Sequence, residues 1–201
     1  MATLRGTKPY DQRLARVLVA PFRHTALHPN HLTTVTLILG QAAAVMFAVN
    51  IDLAWCAALL YMLAVFSDHM DGELARMTGK TSSFGHDYDY IVGGMNYTSL
   101  FIGIGIGLHE TVGAWTTALG FAAGLSNPFI LYLRMRMERK FGLEAVEHPA
   151  RAGFELEDFV YLIGPITWSA GVLWFFIPYA IGNIAYLLWT IKEYRGHLQK
   201  R

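Results

Sequence analysis

The sequence predicts an all-α, polytopic membrane fold: six transmembrane helices preceded by an interfacial amphipathic helix. Three observations predict it. Of the 201 residues, 54% are hydrophobic and only 15% are charged, with a mean hydropathy of +0.33, whereas soluble domains carry about 25% charged residues. The apolar residues gather into six segments, near 31–49, 53–76, 86–108, 112–136, 156–173 and 177–194. Each approaches the roughly 20 residues that cross about 30 Å of hydrocarbon, the last two at the short end. Lysine and arginine fall only in the leader, the 76–80 and 134–151 connections, and the tail from Lys192. The connections near 50–52, 109–110 and 174–178 hold none, so the positive-inside rule predicts both termini on the cytoplasmic side of the inner membrane.

The elements follow in order. Near 9–23, Leu14, Val17, Leu18 and Phe22 share one side of a helix, and Arg13, Arg16 and Arg23 supply a basic complement. That pattern suits a helix lying in the headgroup plane; a polar leader with chance periodicity is the plainer alternative. No cleavable signal is expected, because Val17 to Ala20 is too short an apolar run. Pro29 and Asn30 mark the entry to the first span, since proline is tolerated in a first helical turn. Cys56 sits in an apolar run without a second thiol and reads as filler. Pro128 predicts a kink in the fourth span. Gly103, Gly105 and Gly107 suggest close helix contacts, and Trp168, Trp174 and Trp189 read as interfacial or packing residues. No repeat interrupts the chain, so residues 1–201 are read as one membrane-embedded domain with its bundle at 31–194. With a net charge of +1 and scattered basic residues, no nucleic-acid partner is expected.

The chemistry gathers at the end of the second span. Asp68 and Asp71 are three residues apart, on one helix face. Gly72 and Ala75 each follow one of them by four, so that face is acidic and nearly bare of bulk. On the third span Gly85, Asp89 and Gly93 repeat every four residues. Carboxylates at the end of a lipid-buried segment are costly unless something binds them, and oxygen ligands suit Mg²⁺ or Mn²⁺. Two such faces, brought together, enclose Asp68, Asp71 and Asp89 as metal ligands. The alternative is that these acids pair with Arg76, Lys80 or other cations and merely close the bundle. An ion transporter explains neither Arg76 nor the glycine spacing.

In order and spacing, Asp68, Asp71, Gly72, Ala75, Arg76, Gly85 and Asp89 resemble the signature of the CDP-alcohol phosphotransferases, six-helix membrane enzymes of phospholipid synthesis. Pro29, Asn30 and Thr33 resemble that family's entry to the first helix. The resemblance implies transfer of a substituted phosphate from a CDP-linked donor, CDP-diacylglycerol by preference, to an alcohol hydroxyl, with release of CMP. It implies a site in which Asp68, Asp71 and Asp89 hold Mg²⁺ or Mn²⁺. Gly72, Ala75, Arg76 and Gly85 would line the cytidine and diphosphate region, reached by Asn30 and Thr33 from the first span. A soluble CDP-alcohol donor with a lipid acceptor fits the same signature. Members of the family it resembles often pair into homodimers; the sequence itself marks no partner surface.

One position departs from the signature. The family carries a fourth aspartate, taken as the base, where this chain has Gly93. The chain then belongs to a branch with another base, is an altered or inactive member that binds without the usual turnover, or serves an acceptor that needs little base. His86, three before Asp89, titrates in the useful range and is the substitute considered first, together with Asp89 as a catalytic residue; an interfacial histidine without chemical role is the alternative. Glu155 and Asp158 begin the fifth span and could face the same cavity, or simply favour a helix's first turn. Arg134 and Arg136, ahead of Arg139, Lys140 and Arg151, are read as a clamp for a phosphorylated acceptor, against the alternative of an ordinary basic cytoplasmic connection.

Overall fold

The computed structural model describes residues 10–142 and 156–199, all helix and connection with no strand among them. The helices are α1 (Tyr10–Val19), α2 (Pro29–Val49), α3 (Ala54–Thr78), α4 (Ser83–Gly107), the one-turn α5 (His109–Val112), α6 (Trp115–Phe141), α7 (Ile163–Ala170) and α8 (Val172–Gln199), with 3₁₀ turns at Ala20–His24, Ile51–Leu53 and Leu156–Leu162. Among the described residues, three stretches are long and apolar enough to cross a membrane: Pro29–Val49, Ile51–Thr78 and Val172–Gln199. α4 and α6, of 25 and 27 residues, have the length (roughly 38 to 40 Å). Phe159–Ala170 is a shorter apolar helix.

Neighbouring helices close a ring: α2 packs on α3 and α4, α4 on α6, α6 on α8, α8 on α7, and α7 back on α3. Small residues recur at the buried helix contacts, and many large apolar side chains face outward. Ala43, Ala57, Ala58, Ala64 and Ala123 are buried, whereas Ile38, Val45, Trp55, Leu63, Ile91, Phe129, Trp174 and Leu188 are exposed. Small residues let helices approach closely where lipid competes equally for apolar side chains. One part of the interior is filled by Phe47, Tyr61, Phe101, Phe175 and Phe176. The carboxylates stand seven to ten residues beyond Tyr61 along α3, about 10–15 Å away at 1.5 Å per residue.

α2 and α4 run side by side in the same direction. Thr34 Oγ1 and Tyr88 OH are 3.0 Å apart. Gln41 Nε2 donates to Asn96 Oδ1 at 3.0 Å and Asn96 Nδ2 to the Thr36 carbonyl at 3.0 Å. Further along, a Cβ on Gly103 would collide with the Ala44 carbonyl and one on Gly107 with that of Phe47. The close contacts expected of this glycine series are therefore made, against α2 and, from Gly105, against α6.

One expectation changes. The last two apolar segments do not divide at 174–178; the break is at Gly171, whose φ of 95° is disfavoured for residues with a Cβ. Pro178 lies inside α8, where it removes one backbone hydrogen bond without ending the helix. The leader forms α1: Leu14, Val17 and Leu18 are exposed, and Ala15 and Val19 pack inward at 0%. Asp11 pairs with His69, and Arg16 approaches Glu73, so α1 is docked on α3. Glu155 and Arg151 lie outside the described residues.

Candidate metal and diphosphate site

Three helix ends build the site. α3 delivers Asp68 and Asp71 near its C-terminus. α4 delivers Asp89 near its N-terminus, which opens at Ser82, whose Oγ accepts from Gly85 N at 2.9 Å. α2 delivers Asn30 and Thr33 from its first turns. Ser67 Oγ donates to the Leu32 carbonyl at 3.3 Å, tying α3 to α2 one residue before Asp68. The Thr34–Tyr88 contact ties α2 to α4 one residue before Asp89. Both α2 and α4 begin here, and helix N-termini favour anions.

Oxygens of Asp68, Asp71 and Asp89 lie within 4.8 Å of one another. Asp71 is 5% exposed, faces the buried Thr33 hydroxyl, and its Oδ2 is enclosed without a hydrogen-bond partner. An enclosed carboxylate oxygen with no donor, facing two further carboxylates, is costly by itself. The donor set, hard oxygens converging from two helices, suits Mg²⁺ or Mn²⁺.

The other expected residues divide. Gly85 stands against Asn30, whose Oδ1 would lie 3.2 Å from a Cβ there. Arg76 folds back over Gly72: its Nη2 would lie 3.3 Å from a Cβ at 72. Ala75, on the turn between, is half-buried. A Cβ at Gly93, where the signature resembled carries a fourth aspartate, would meet nothing within 4 Å. His86 stands outside the three-carboxylate cluster. Its ring tilts on Tyr90 at 4.8 Å, and Nε2 lies 3.7 Å from Glu138 of α6. It lines an α4–α6 cleft with Ser83, Asp87, Met135, Glu138 and Arg139. Arg134 donates to the Tyr186 hydroxyl of α8, and Arg136 to the Tyr132 hydroxyl on its own helix at 3.1 Å. Glu73 was not singled out in the sequence. It is wholly buried and accepts from Arg76 at 2.8 and 3.2 Å; the spacing of three between them was the available signal.

A family model described as CDP-alcohol phosphatidyltransferase matches residues 26–191. The chain belongs to that family. Its membership and apolar helices make it an integral membrane protein of the CDP-alcohol phosphatidyltransferases. An uncharacterized protein of Aquifex aeolicus is 28% identical over 199 residues, 97% of this chain and 96% of that one. An archaetidylinositol phosphate synthase of Pyrococcus horikoshii is 32% identical over 79 residues, 39% of this chain and 41% of that one. Among solved structures, Mycobacterium tuberculosis phosphatidylinositol phosphate synthase with CDP-DAG bound shares the fold, with a TM-score of 0.63 at 17% identity, covering 94% of this chain and 92% of that one.

Proposed function

We propose that this CDP-alcohol phosphatidyltransferase moves a substituted phosphate from CDP-diacylglycerol, or a closely related CDP-linked lipid, to the hydroxyl of a polar alcohol and releases CMP. The reading is carried by the convergence of Asp68, Asp71 and Asp89 within 4.8 Å around an Asp71 oxygen that is buried without a partner. These three side chains would hold Mg²⁺ or Mn²⁺. When bound, the metal neutralises phosphoryl oxygens and stabilises the departing CMP. Arg76, held over Gly72, supplies a fixed cation beside the diphosphate. Gly72, Ala75 and Gly85 keep the α3–α4 approach free of bulk, and Asn30 and Thr33 border it from α2. A phosphorylated alcohol is the acceptor class favoured here, supported by the names of the Pyrococcus and Mycobacterium proteins. Arg134 and Arg136 remain its proposed clamp on charge alone, since both have tyrosine partners.

In this reading residues 1–201 form one domain of six spans, with both termini and the site facing the cytoplasm and α1 along the headgroups. The ring of six helices and the alternation of lysine and arginine support it. The site then lies where a lipid donor and a soluble acceptor both have access. Membranes containing the chain, given CDP-diacylglycerol, Mn²⁺ and a panel of alcohols and their phosphates, are expected to release CMP only when metal and an acceptor are both present. Release with soluble CDP-alcohols and a lipid acceptor instead would reverse the donor assignment.

A second reading is favoured by Gly93. The open space there leaves the acceptor hydroxyl without the family's carboxylate, and His86 is engaged with α6. The chain would then bind the CDP-linked lipid without the usual turnover. Gly93→Asp decides between them, because a Cβ there meets nothing within 4 Å. A large gain in CMP release from a near-silent wild type indicates a lost base; an equal or lower rate indicates that the wild-type chain works through another group.

A further inference from the structure

Glu73 joins the N-terminal helix to the arginine of the site. Its side chain is 0% exposed, deeper than any of the three site aspartates. Oε1 accepts from Arg76 Nη2 at 2.8 Å and Nε at 3.2 Å. Oε2 faces Arg16 Nη1 of α1 at 3.8 Å. The two arginine side chains are themselves half exposed, 52% and 55%: Arg76 is hydrogen-bonded to Glu73, and Arg16 stands within ion-pair distance of it. Arg76 also lies against Gly72 and interacts electrostatically with Asp71. A continuous path therefore runs from α1, through one buried carboxylate, to the cation beside the carboxylate cluster. A buried carboxylate stripped of its cations is strongly disfavoured, so Glu73 keeps both arginines close to the turn that carries Asp71 and Gly72. The rest of α1 is placed to make this contact: Ala15 and Val19 pack inward at 0%, and Asp11 pairs with His69 a turn away.

We propose that Glu73 is a positioning residue for Arg76, and that Arg16 acts through it, so that docking of α1 on α3 sets how tightly the site holds the diphosphate of a CDP-linked ligand. The proposal rests on the donor reading above. If it is right, Glu73→Gln leaves the metal ligands in place but releases Arg76. In the full chain reconstituted in nanodiscs, CDP binding with Mn²⁺ is expected to weaken about tenfold, the scale of one charge-assisted pair. Binding of Mn²⁺ alone, read by electron paramagnetic resonance, stays within about twofold, and Glu73→Asp recovers part of the CDP affinity. Arg16→Gln, at an exposed position, weakens CDP binding about threefold, and adding it to Glu73→Gln brings no further loss. Unchanged CDP affinity in Glu73→Gln despite a lowered melting temperature overturns the proposal. So does an Arg16→Gln effect that is the same in both backgrounds. If Glu73→Gln does not fold, Arg16→Gln and Glu73→Asp carry the test: wild-type CDP affinity in both overturns it. A wild-type chain that binds Mn²⁺ but no CDP removes the donor reading itself, and this proposal with it.

Discussion

Asp71 is held where an isolated carboxylate is least favoured: nearly buried, with one oxygen unpartnered, and facing Asp68 and Asp89. A residue retained at such a cost is suited to a ligand rather than to the scaffold. Asp71→Asn is therefore expected to raise the melting temperature of the metal-free chain while abolishing its stabilisation by Mn²⁺. Its Mn²⁺ affinity should fall by more than the roughly 10–100-fold typical of losing an outer-shell partner. Calorimetry with and without metal reads both effects, and full Mn²⁺ stabilisation in the variant would remove Asp71 from the ligand set. At this scale the sequence was legible where spacing alone decides. Asp68, Asp71 and Asp89 announced themselves by helical register and by the small residues around them. His86, Arg134 and Arg136 were not settled by register. Each can reach more than one neighbour, and each has partners on α6 or α8. Glu73 was hidden for the opposite reason: a charged residue in a charged stretch gives no sign that it will be wholly enclosed.

The pairing of α2 with α4 fixes how the aspartate helices are presented. Polar contacts at Thr34–Tyr88 and Gln41–Asn96 and backbone approaches at Gly103 and Gly107 hold the two at one register along their length. Interhelical hydrogen bonds of this kind contribute on the order of 0.6 kcal/mol each in membranes, so the close glycine packing matters as much. Gly103→Val is expected to destabilise the chain by about 1–3 kcal/mol through overpacking against the Ala44 backbone. Gly182→Ala, where a Cβ meets nothing within 4 Å, should be neutral or stabilising by up to about 1 kcal/mol. Thermal unfolding in detergent separates the two, and equal losses would contradict this packing. The break between α7 and α8 was misjudged because Pro178 is the stronger sequence signal. Gly171 ends α7 through a backbone conformation that composition does not reveal.

Among the described residues, six helical segments close on one another, with aromatic filling in one region and carboxylates in another. The exposed apolar residues of α1 and those around the ring are continuous with a membrane setting, and the docking of α1 by ion pairs brings the leader to the site. By itself the sequence determined the helical class, the family resemblance and the spacing of the three aspartates. All of these follow from local periodicity and fixed spacing, which a chain carries before it folds. Only the tertiary structure decided that Asp68, Asp71 and Asp89 meet within 4.8 Å, that Gly93 opens onto empty space, and that Glu73 is shared by Arg16 and Arg76. Those facts depend on which faces of separate helices are turned toward each other, and helix rotation and register are set by packing between elements that lie far apart along the chain.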